Sequence, residues 1–242
     1  MKTETALKYE LTQKNDGCLP VIVLAAGSFT RMRGINKQLA EINGVPVVIR
    51  TLMAFEKSPL ISDIVLVVRP DDVFALQLLT ERYGITKLTD IVCGGNCRQE
   101  SVVKGLSRVS SKDRSVLIHD GARPLVSGEV IEGVIKGLEK FSAVTCAVPI
   151  VDTVKRGDEF GKVMKTVDRE GLVSVQTPQG VRIKDYKSAL EKIDDLSVFT
   201  DDTSIMEFAG FQVLTTMGDR NNIKITNQND IFLAQSLLEG FE

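Results

Sequence analysis

The sequence contains one histidine and no tryptophan among its 242 residues. A lone imidazole, His119, argues against a zinc site built from histidines and against a nucleophile that depends on a histidine base. The four cysteines lack metal-type spacing, and Cys93 and Cys97 do not form a C-x-x-C pair. Because the sequence also shows no signal peptide, we expect reduced thiols and a cytoplasmic location.

Long apolar runs and a strong net charge are absent as well. No apolar run approaches the roughly 18 residues that a membrane span needs, so we expect no membrane insertion. The formal net charge is −2, which gives no general basic field for binding nucleic acid. Neither G-x-G-x-x-G nor G-x-x-x-x-G-K-[ST] fits the sequence. Their absence argues against a Walker loop and against an NAD-dependent oxidoreductase.

The sequence does contain a repeated alternation of strand and helix patterns. We expect one domain over 20–242, preceded by a polar extension at 1–19. The alternation predicts an α/β fold with a mostly parallel twisted sheet and helices on both faces. Asn43-Gly44 predicts a turn, and Ser127 and Asn227 predict helix caps. Apolar stretches predict strands at 21–24, 61–68, 90–93, 115–119, 143–149, 211–216 and 222–226.

The pattern changes between residues 150 and 172. Two alternating stretches, 151–156 and 162–167, flank a turn at 157–161 and predict a two-stranded hairpin. A hairpin of this size has too little apolar surface to be stable alone, so we expect an arm that packs on another subunit. Its cations are expected to form a solvated surface: Lys155, Arg156, Lys162 and Lys165.

The stretch after the first strand combines small residues with cations. Ala25, Ala26 and Gly27 are too small to keep a ligand away from the backbone, and basic residues follow, Arg31 and Lys37 among them. A loop at the carboxyl end of a central strand is where open α/β sheets bind ligands. Backbone N–H groups and cations in that loop suit a polyphosphate. The alternative is a basic surface loop behind a core strand.

Two further strand ends carry candidate site residues. Gly94 and Gly95 lie between a predicted strand and a helix, either in a ligand site or in an ordinary glycine turn. Asp120 ends another strand, and Arg123 could hold it in a structural ion pair. His119 precedes Asp120 and should point to the opposite face of the sheet, so we expect it to be packed.

Taken in order, these pieces resemble a known family of enzymes. The matching segments are Ala25-Ala26-Gly27, Arg31-Met32, Lys37-Gln38, Gly94-Gly95 with Arg98 and Ser101, the stretch from His119 to Pro124, Asp152-Thr153, Arg169, Thr177-Pro178-Gln179, Thr200-Asp201-Asp202, and the stretch from Asn222 to Thr226. The ordered set resembles the 2-C-methyl-D-erythritol 4-phosphate cytidylyltransferase family and runs from about Pro20 to the C-terminus.

The resemblance implies a Rossmann-like sheet of the nucleotide-diphospho-sugar transferase type. It implies transfer of CMP from CTP to 2-C-methyl-D-erythritol 4-phosphate, with Mg²⁺ and release of pyrophosphate, in the non-mevalonate route to isoprenoid precursors. Arg31 and Lys37 would then stabilise the charge that grows on the α-phosphate, and Arg169 and Lys224 would hold the attacking phosphate. Asp120 is the candidate ligand of Mg²⁺.

The resemblance also implies binding contacts and a dimer. Thr153 and Arg169 lie on or beside the predicted arm, which implies a homodimer whose arms complete the partner's active sites. Further contacts to the acceptor substrate are expected from Thr153, Arg123 and Thr177. Contacts to CTP are expected from Ala25, Ala26, Gly27, Ser28, Gly94, Gly95, Arg98, Ser101, Asp120 and Gly121.

Two other functions stay open at this point. A related family, ribitol-5-phosphate cytidylyltransferase, shares much of the architecture but more often has Ala-Gly-Gly where this chain has Ala25-Ala26-Gly27. A protein that binds CTP without turning it over is the alternative outside the enzymes. Pyrophosphate release with each candidate acceptor distinguishes the three functions.

Overall fold

A computed structural model describes residues 17–27, 36–110, 112 and 114–240 of the chain. The predicted extension at 1–19 therefore lies mostly outside the described residues. The strands within the described residues are β1 (Leu19–Leu24), β2 (Glu41–Ile42), β3 (Val45–Pro46), β4 (Ile61–Val68), β5 (Leu88–Cys93), β6 (Ser115–Asp120), β7 (Ala143–Pro149), β8 (Val154–Gly157), β9 (Val163–Val167), β10 (Val173–Arg182) and β11 (Val213–Met217).

Helices connect most of these strands. Short 3-10 turns occur at Pro70–Asp72 and Leu196–Val198. The α-helices within the described residues are α1 (Val47–Lys57), α2 (Val73–Arg82), α3 (Arg98–Leu106), α4 (Gly128–Leu138), α5 (Ile183–Leu190), α6 (Asp202–Phe208) and α7 (Gln228–Glu239).

The central sheet has the strand order β11-β7-β10-β6-β1-β4-β5. All neighbours in it are parallel except β10, which runs antiparallel to both β6 and β7. The prediction of a mostly parallel sheet is confirmed. Leu24 of β1 lies opposite Asp120 of β6, so the carboxyl ends of these two strands meet at one edge of the sheet.

Helices cover both faces of the sheet, as the alternation predicted. Val21 and Val23 of β1 pack in a core shared with α1, α2 and α4, whereas Ile22 and Leu24 pack in a second core shared with α3, α5 and α6. This alternation follows from the two-residue period of a strand. Full burial of one such side chain stabilises the folded state by about 1.5–3 kcal/mol. The two cores therefore fix the positions of the strand ends that carry the site.

The turn and cap predictions are confirmed in the structure. Asn43 and Gly44 both have positive φ angles, 46° and 72°, between the short strands β2 and β3. Ser127 accepts a hydrogen bond from Val130 N at the start of α4. Asn227 begins α7 with a capping box that includes Asp230.

One predicted strand is wrong. Residues 222–226 do not form a strand but follow an irregular path before α7. Their polar groups bond singly to different neighbours: Asn222 Nδ2 donates to Thr177 O, and Ile225 N donates to Ala122 O. A strand needs a continuous ladder with one partner, whereas these two bonds go to different segments, β10 and the turn after β6.

The predicted hairpin is present as the antiparallel pair of β8 and β9. It prolongs the β7–β10 ribbon, in which Pro149 lies opposite Val173. Most of the hairpin is exposed, and Phe160 near its tip has 87% of its surface accessible. Within the described part of the chain, no helix has both the length and the apolar character that a membrane span requires.

Candidate active site

Two cavities open at the edge where the strands of the sheet end. The β1 cavity, about 650 Å³, lies beside the end of β1 and the start of α3. The β10 cavity, about 520 Å³, lies between β10 and the start of α6. Arg98, Asp120 and Lys224 line both cavities and form the wall between them. This position at the carboxyl ends of parallel strands is the usual ligand site of open α/β sheets.

The β1 cavity brings several predicted residues together. Lys37 approaches it from the loop before β2 and Lys224 from the loop before α7, whereas the rest come from the ends of β1, β5 and β6 and from the first turns of α3. Predicted residues that line it are Ala26, Gly27, Lys37, Gly95, Arg98, Ser101, Asp120 and Lys224. Small residues along β1 and basic groups opposite them leave a space suited to an anionic ligand.

Close packing explains the glycines before α3. A side chain on Gly94 would place its Cβ 2.5 Å from the Cβ of Ala26 and 2.9 Å from Ser101 Oγ. Gly95 N donates a 3.0 Å hydrogen bond to Ser101 Oγ, which in turn donates to Cys97 O. The Gly94–Gly95 turn is therefore held against both β1 and α3.

Asp120 lies among three cations. Its Oδ2 is 2.7 Å from Lys224 Nζ and 3.7 Å from Arg123 Nε, and its Oδ1 is 3.7 Å from Arg98 Nε. Burial alone would raise the pKa of Asp120, but Lys224, Arg98 and Arg123 together hold that pKa well below its usual range. The carboxylate is therefore ionised at neutral pH. The suggested Asp120–Arg123 ion pair exists, but Lys224 is the nearer partner.

A buried network fixes Arg98 in place. Arg98 Nη2 is 2.7 Å from Oδ2 of Asp202, which is fully buried at the start of α6. The Tyr186 hydroxyl donates a 2.9 Å hydrogen bond to the other Asp202 oxygen. Burial would lower the pKa of Arg98, but Asp202 and Asp120 raise it above its usual value. Arg98 is thus a fixed positive charge in the wall between the cavities.

The β10 cavity contains a second group of predicted residues. Arg123, Thr177 and Lys224 line it together with Asp120. Arg123 Nη1 donates a 2.7 Å hydrogen bond to the backbone oxygen of Asn222. The Thr177 hydroxyl accepts a 3.1 Å hydrogen bond from Asp120 N, so Thr177 also supports the end of β6. The result is a partly cationic cavity on the far side of Asp120.

The remaining predicted residues lie elsewhere. Ser28 and Arg31 fall outside the described residues. Ala25 is fully buried, and Gly121 lies beneath the β1 cavity, where its N donates to Leu24 O at 2.8 Å. Thr153 and Arg169 lie exposed beside the hairpin and line neither cavity of this chain; Arg169 Nη1 donates to Val151 O.

Sequence reasoning missed the supporting roles of three polar residues. Asp202 pairs with Arg98, and Asn222 bonds to Arg123 and Thr177. Gln179 is fully buried, and its Oε1 accepts hydrogen bonds from the first N–H groups of α6. Each residue belongs to a motif that carried the family resemblance, so the motifs marked them. Only the folded chain shows their partners.

The side chains around Asp120 offer few ligands for Mg²⁺ by themselves. No three His, Cys, Asp or Glu side chains within the described residues cluster closely enough to hold a metal alone. Mg²⁺ in proteins commonly uses one or two carboxylates together with substrate phosphates. Asp120 is ionised and lies where the two cavities meet. The site therefore fits a cation that is held mainly by phosphate oxygens.

Comparisons with known proteins agree with this geometry. The family model of 2-C-methyl-D-erythritol 4-phosphate cytidylyltransferase matches residues 19–240. A protein of that name from Clostridium novyi (strain NT) is 41% identical over 227 residues, which cover 91% of this chain and 96% of the relative. A bifunctional enzyme IspD/IspF from Desulfotalea psychrophila is 41% identical over 220 residues, but the match covers 90% of this chain and only 56% of that relative.

A solved structure is similar as well. The crystal structure of 4-diphosphocytidyl-2C-methyl-D-erythritol synthase from Anaerococcus prevotii has a TM-score of 0.80 and 33% identity, covering 93% of this chain and all of that one. The family model spans nearly the whole chain, and several of the motifs that suggested the resemblance line the two cavities that meet at Asp120. This chain belongs to the 2-C-methyl-D-erythritol 4-phosphate cytidylyltransferase family.

Proposed function

We propose that the β1 cavity binds CTP and that the β10 cavity binds the phosphate of 2-C-methyl-D-erythritol 4-phosphate. As a member of its family, the chain is a nucleotidyltransferase that transfers CMP from CTP to this acceptor, in isoprenoid precursor biosynthesis.

The observation that carries the assignment is the shared wall. Arg98, Asp120 and Lys224 line both cavities, so ligands in the two spaces would meet there. Both reactants are anions, and their mutual repulsion is the main obstacle to reaction. Two fixed cations at the meeting point offset that repulsion.

The reaction is an in-line displacement at phosphorus. A phosphate oxygen of the acceptor attacks the α-phosphorus of CTP, the bond to the β-phosphate oxygen breaks, and pyrophosphate leaves. No covalent enzyme intermediate is required, because positioning and charge stabilisation supply most of the catalysis. Lys37 and Lys224 line the β1 cavity, which supports a role for both in stabilising the growing negative charge. Arg31 stays a prediction from the resemblance.

The nucleotide-side contacts follow from the turn before α3. Small residues at the end of β1 let the ligand approach the backbone, and the Gly94–Gly95 turn packs directly beside them, with Gly95 on the cavity lining. We place the cytosine and ribose near this turn and Ser101. Discrimination between cytosine and uracil must come from hydrogen-bonding groups, because the two bases are almost the same size.

We place Mg²⁺ beside Asp120 and the phosphates of CTP. The ion would supply positive charge to the triphosphate and orient it. Asp120 also holds Lys224 at 2.7 Å, so the same carboxylate positions a cation on the acceptor side.

The arm suggests that the working unit is a homodimer. Thr153 and Arg169 are exposed beside the hairpin and line neither cavity of their own chain. Apolar side chains such as Phe160 and Met164 are also exposed on the hairpin, at 87% and 60% of their surface. A partner subunit would bury this surface and receive Arg169 in its β10 cavity. The cytoplasmic location stays a prediction from the sequence.

The experiment that tests the function measures pyrophosphate release from CTP. We expect release with 2-C-methyl-D-erythritol 4-phosphate and Mg²⁺, and little with ribitol 5-phosphate. Preferred release with ribitol 5-phosphate would assign the chain to the related activity. Binding of CTP without release, whichever acceptor is supplied, would make it a CTP-binding protein. UTP in place of CTP is the control for base selection.

A further inference from the structure

Four residues behind the active-site wall form a closed cycle of hydrogen bonds. The imidazole Nδ1 of His119 is 3.1 Å from Thr177 Oγ1, and Thr177 O accepts a 2.8 Å bond from Asn222 Nδ2. Asn222 O accepts a 2.7 Å bond from Arg123 Nη1. Arg123 O closes the cycle, 3.2 Å from His119 Nε2. Segments from β6, β10 and the loop before α7 are thereby joined.

The bonds of the cycle define the protonation of His119. Arg123 O is a carbonyl and can only accept, so His119 Nε2 must carry a proton. Thr177 Oγ1 accepts from Asp120 N at 3.1 Å and still has its own proton to donate to Nδ1. A neutral imidazole with its proton on Nε2 satisfies both bonds. Burial foremost lowers its pKa to about 4, which agrees with this neutral state.

Two members of the cycle, His119 and Asn222, hold ligand-binding groups without lining a cavity themselves. His119 and Asn222 are fully buried, and neither lines a cavity. Arg123 is held at both ends: its carbonyl bonds to His119 and its guanidinium to Asn222. Asp120 is held through its backbone N–H by Thr177. Lys224 follows two residues after Asn222 and pairs with Asp120.

We propose that His119 is a positioning residue for the acceptor phosphate, acting through Arg123. The proposal rests on the assignment of the β10 cavity to the acceptor. Arg123 lines the β10 cavity and is absent from the described lining of the β1 cavity. Loss of the cycle should therefore weaken acceptor binding and leave CTP binding largely intact. A histidine that served only as core packing would not separate the two substrates.

Two substitutions at His119 test the role of its hydrogen bonds. His119→Leu removes both bonds, and we expect the KM for the acceptor to rise about tenfold while the KM for CTP changes less than about twofold, a typical scale for residues that orient a ligand-binding group. His119→Gln keeps a donor for Arg123 O and should restore most of the acceptor KM. Equal changes in both KM values, or no change in a folded His119→Leu variant, would overturn the proposal.

Phe55→Leu is the matched control for packing. Phe55 makes an edge-on contact with the imidazole, with ring centroids 4.9 Å apart, but takes no part in the cycle. We expect this variant to lower the melting temperature and to leave the acceptor KM unchanged. A rise in acceptor KM as large as that of His119→Leu would show that packing, not hydrogen bonding, is responsible, and the proposal would fail.

A measurement on the wild-type protein covers the case in which His119→Leu does not fold. Because the chain has a single histidine, its imidazole nitrogens give one assignable pair of ¹⁵N signals. We expect the pattern of the neutral tautomer with the proton on Nε2 at neutral pH. A proton on Nδ1 instead would overturn the cycle. The ¹⁵N signals test the hydrogen-bond cycle without requiring turnover. Absence of pyrophosphate release with any acceptor would instead refute the proposed function, so the two failures can be told apart.

Discussion

Lys224 Nζ lies 2.7 Å from Asp120 Oδ2, although the two residues are more than 100 positions apart in the chain. The pair joins the end of β6 to the loop before α7 and stands in the wall between the two cavities. An ionised carboxylate beside this lysine gives the ammonium group a fixed position. We expect such fixed charges, and the backbone that supports them, to determine both the activity and the stability of the protein.

Lys37→Ala should fold normally and lose most of its turnover. Lys37 lines the β1 cavity, where its charge would stabilise the transition state on the triphosphate. Removal of one preorganised donor of this kind lowers kcat on the order of 10²–10³. Steady-state pyrophosphate release measures the effect. Lys57→Ala, at the exposed end of α1, is the control and should keep full activity. A wild-type kcat for Lys37→Ala would remove this lysine from the mechanism.

Asp202→Asn should destabilise the protein strongly. Asp202 is fully buried and pairs with Arg98 at 2.7 Å, so its loss leaves a largely buried positive charge without its main partner. Breaking such a pair costs about 3–5 kcal/mol, which chemical denaturation can measure. Glu132→Gln, which breaks the exposed pair with Lys136 on α4, should leave stability nearly unchanged. Equal effects from the two substitutions would contradict the role assigned to burial.

Gly94→Ala should weaken CTP binding. The new Cβ would lie 2.5 Å from the Cβ of Ala26 and 2.9 Å from Ser101 Oγ, so the turn must move away from β1. Overpacking of this kind costs about 1–3 kcal/mol, and we expect the KM for CTP to rise about tenfold. Gly128→Ala is the control, because its Cβ would meet nothing within 4 Å. An unchanged KM for Gly94→Ala would show that this turn does not shape the nucleotide site.

His119 should make the stability of the protein depend on pH. Burial is the main cause that lowers its pKa from 6.5 to about 4 in the folded state. The positive charges of Arg123 and Lys224 lower this pKa further, whereas the hydrogen bond to Arg123 O and the negative charge of Asp120 raise it. Below pH 6.5 the unfolded state binds more protons, so the free energy of unfolding falls as the pH drops from 6.5 towards 4. The stability linked to neutral His119 is fully present above pH 6.5, and its loss on acidification lowers the free energy of unfolding by about 3 kcal/mol.

Denaturation at a series of pH values checks the His119 prediction. The His119→Gln variant lacks the titrating group and should show a flatter profile between pH 4 and 6.5. The lowered pKa of Asp120 also makes the free energy of unfolding depend on pH, but only at more acidic pH, where a carboxylate begins to protonate. The effects of His119 and Asp120 therefore fall in different pH ranges. Identical profiles for the two proteins would refute the assigned shift.

Mixing two inactive variants should restore activity if the arms complete each other's sites. Lys37→Ala damages the site of its own chain, whereas Arg169→Ala would damage the partner's site. Random exchange makes half of the dimers mixed, each with one intact site, so about a quarter of all sites should recover. Lys37→Ala mixed with Lys37→Ala is the control. No recovery after verified subunit exchange would place Arg169 in its own chain's site or outside catalysis.

The sequence predicted the elements whose signals are local. The apolar run at 61–68 became β4 with the same bounds, and Asn43-Gly44 and the caps at Ser127 and Asn227 formed as expected. The stretch 222–226 shows the limit of such reasoning. Its apolar alternation resembles a strand, but the fold uses its polar groups to join β6 and β10.

The active site shows the same difference between what the sequence predicts and what the fold decides. The sequence by itself determined the residue types at the strand ends, among them Asp120 and Lys224, and their ordered motifs indicated the family. Only the tertiary structure decided that these two residues pair, that Asp202 fixes Arg98, and that Thr177 is the partner of His119. The physical reason is that hydrophobic periodicity is encoded locally, whereas a charge acquires its role from groups brought near it by the packing of distant strands.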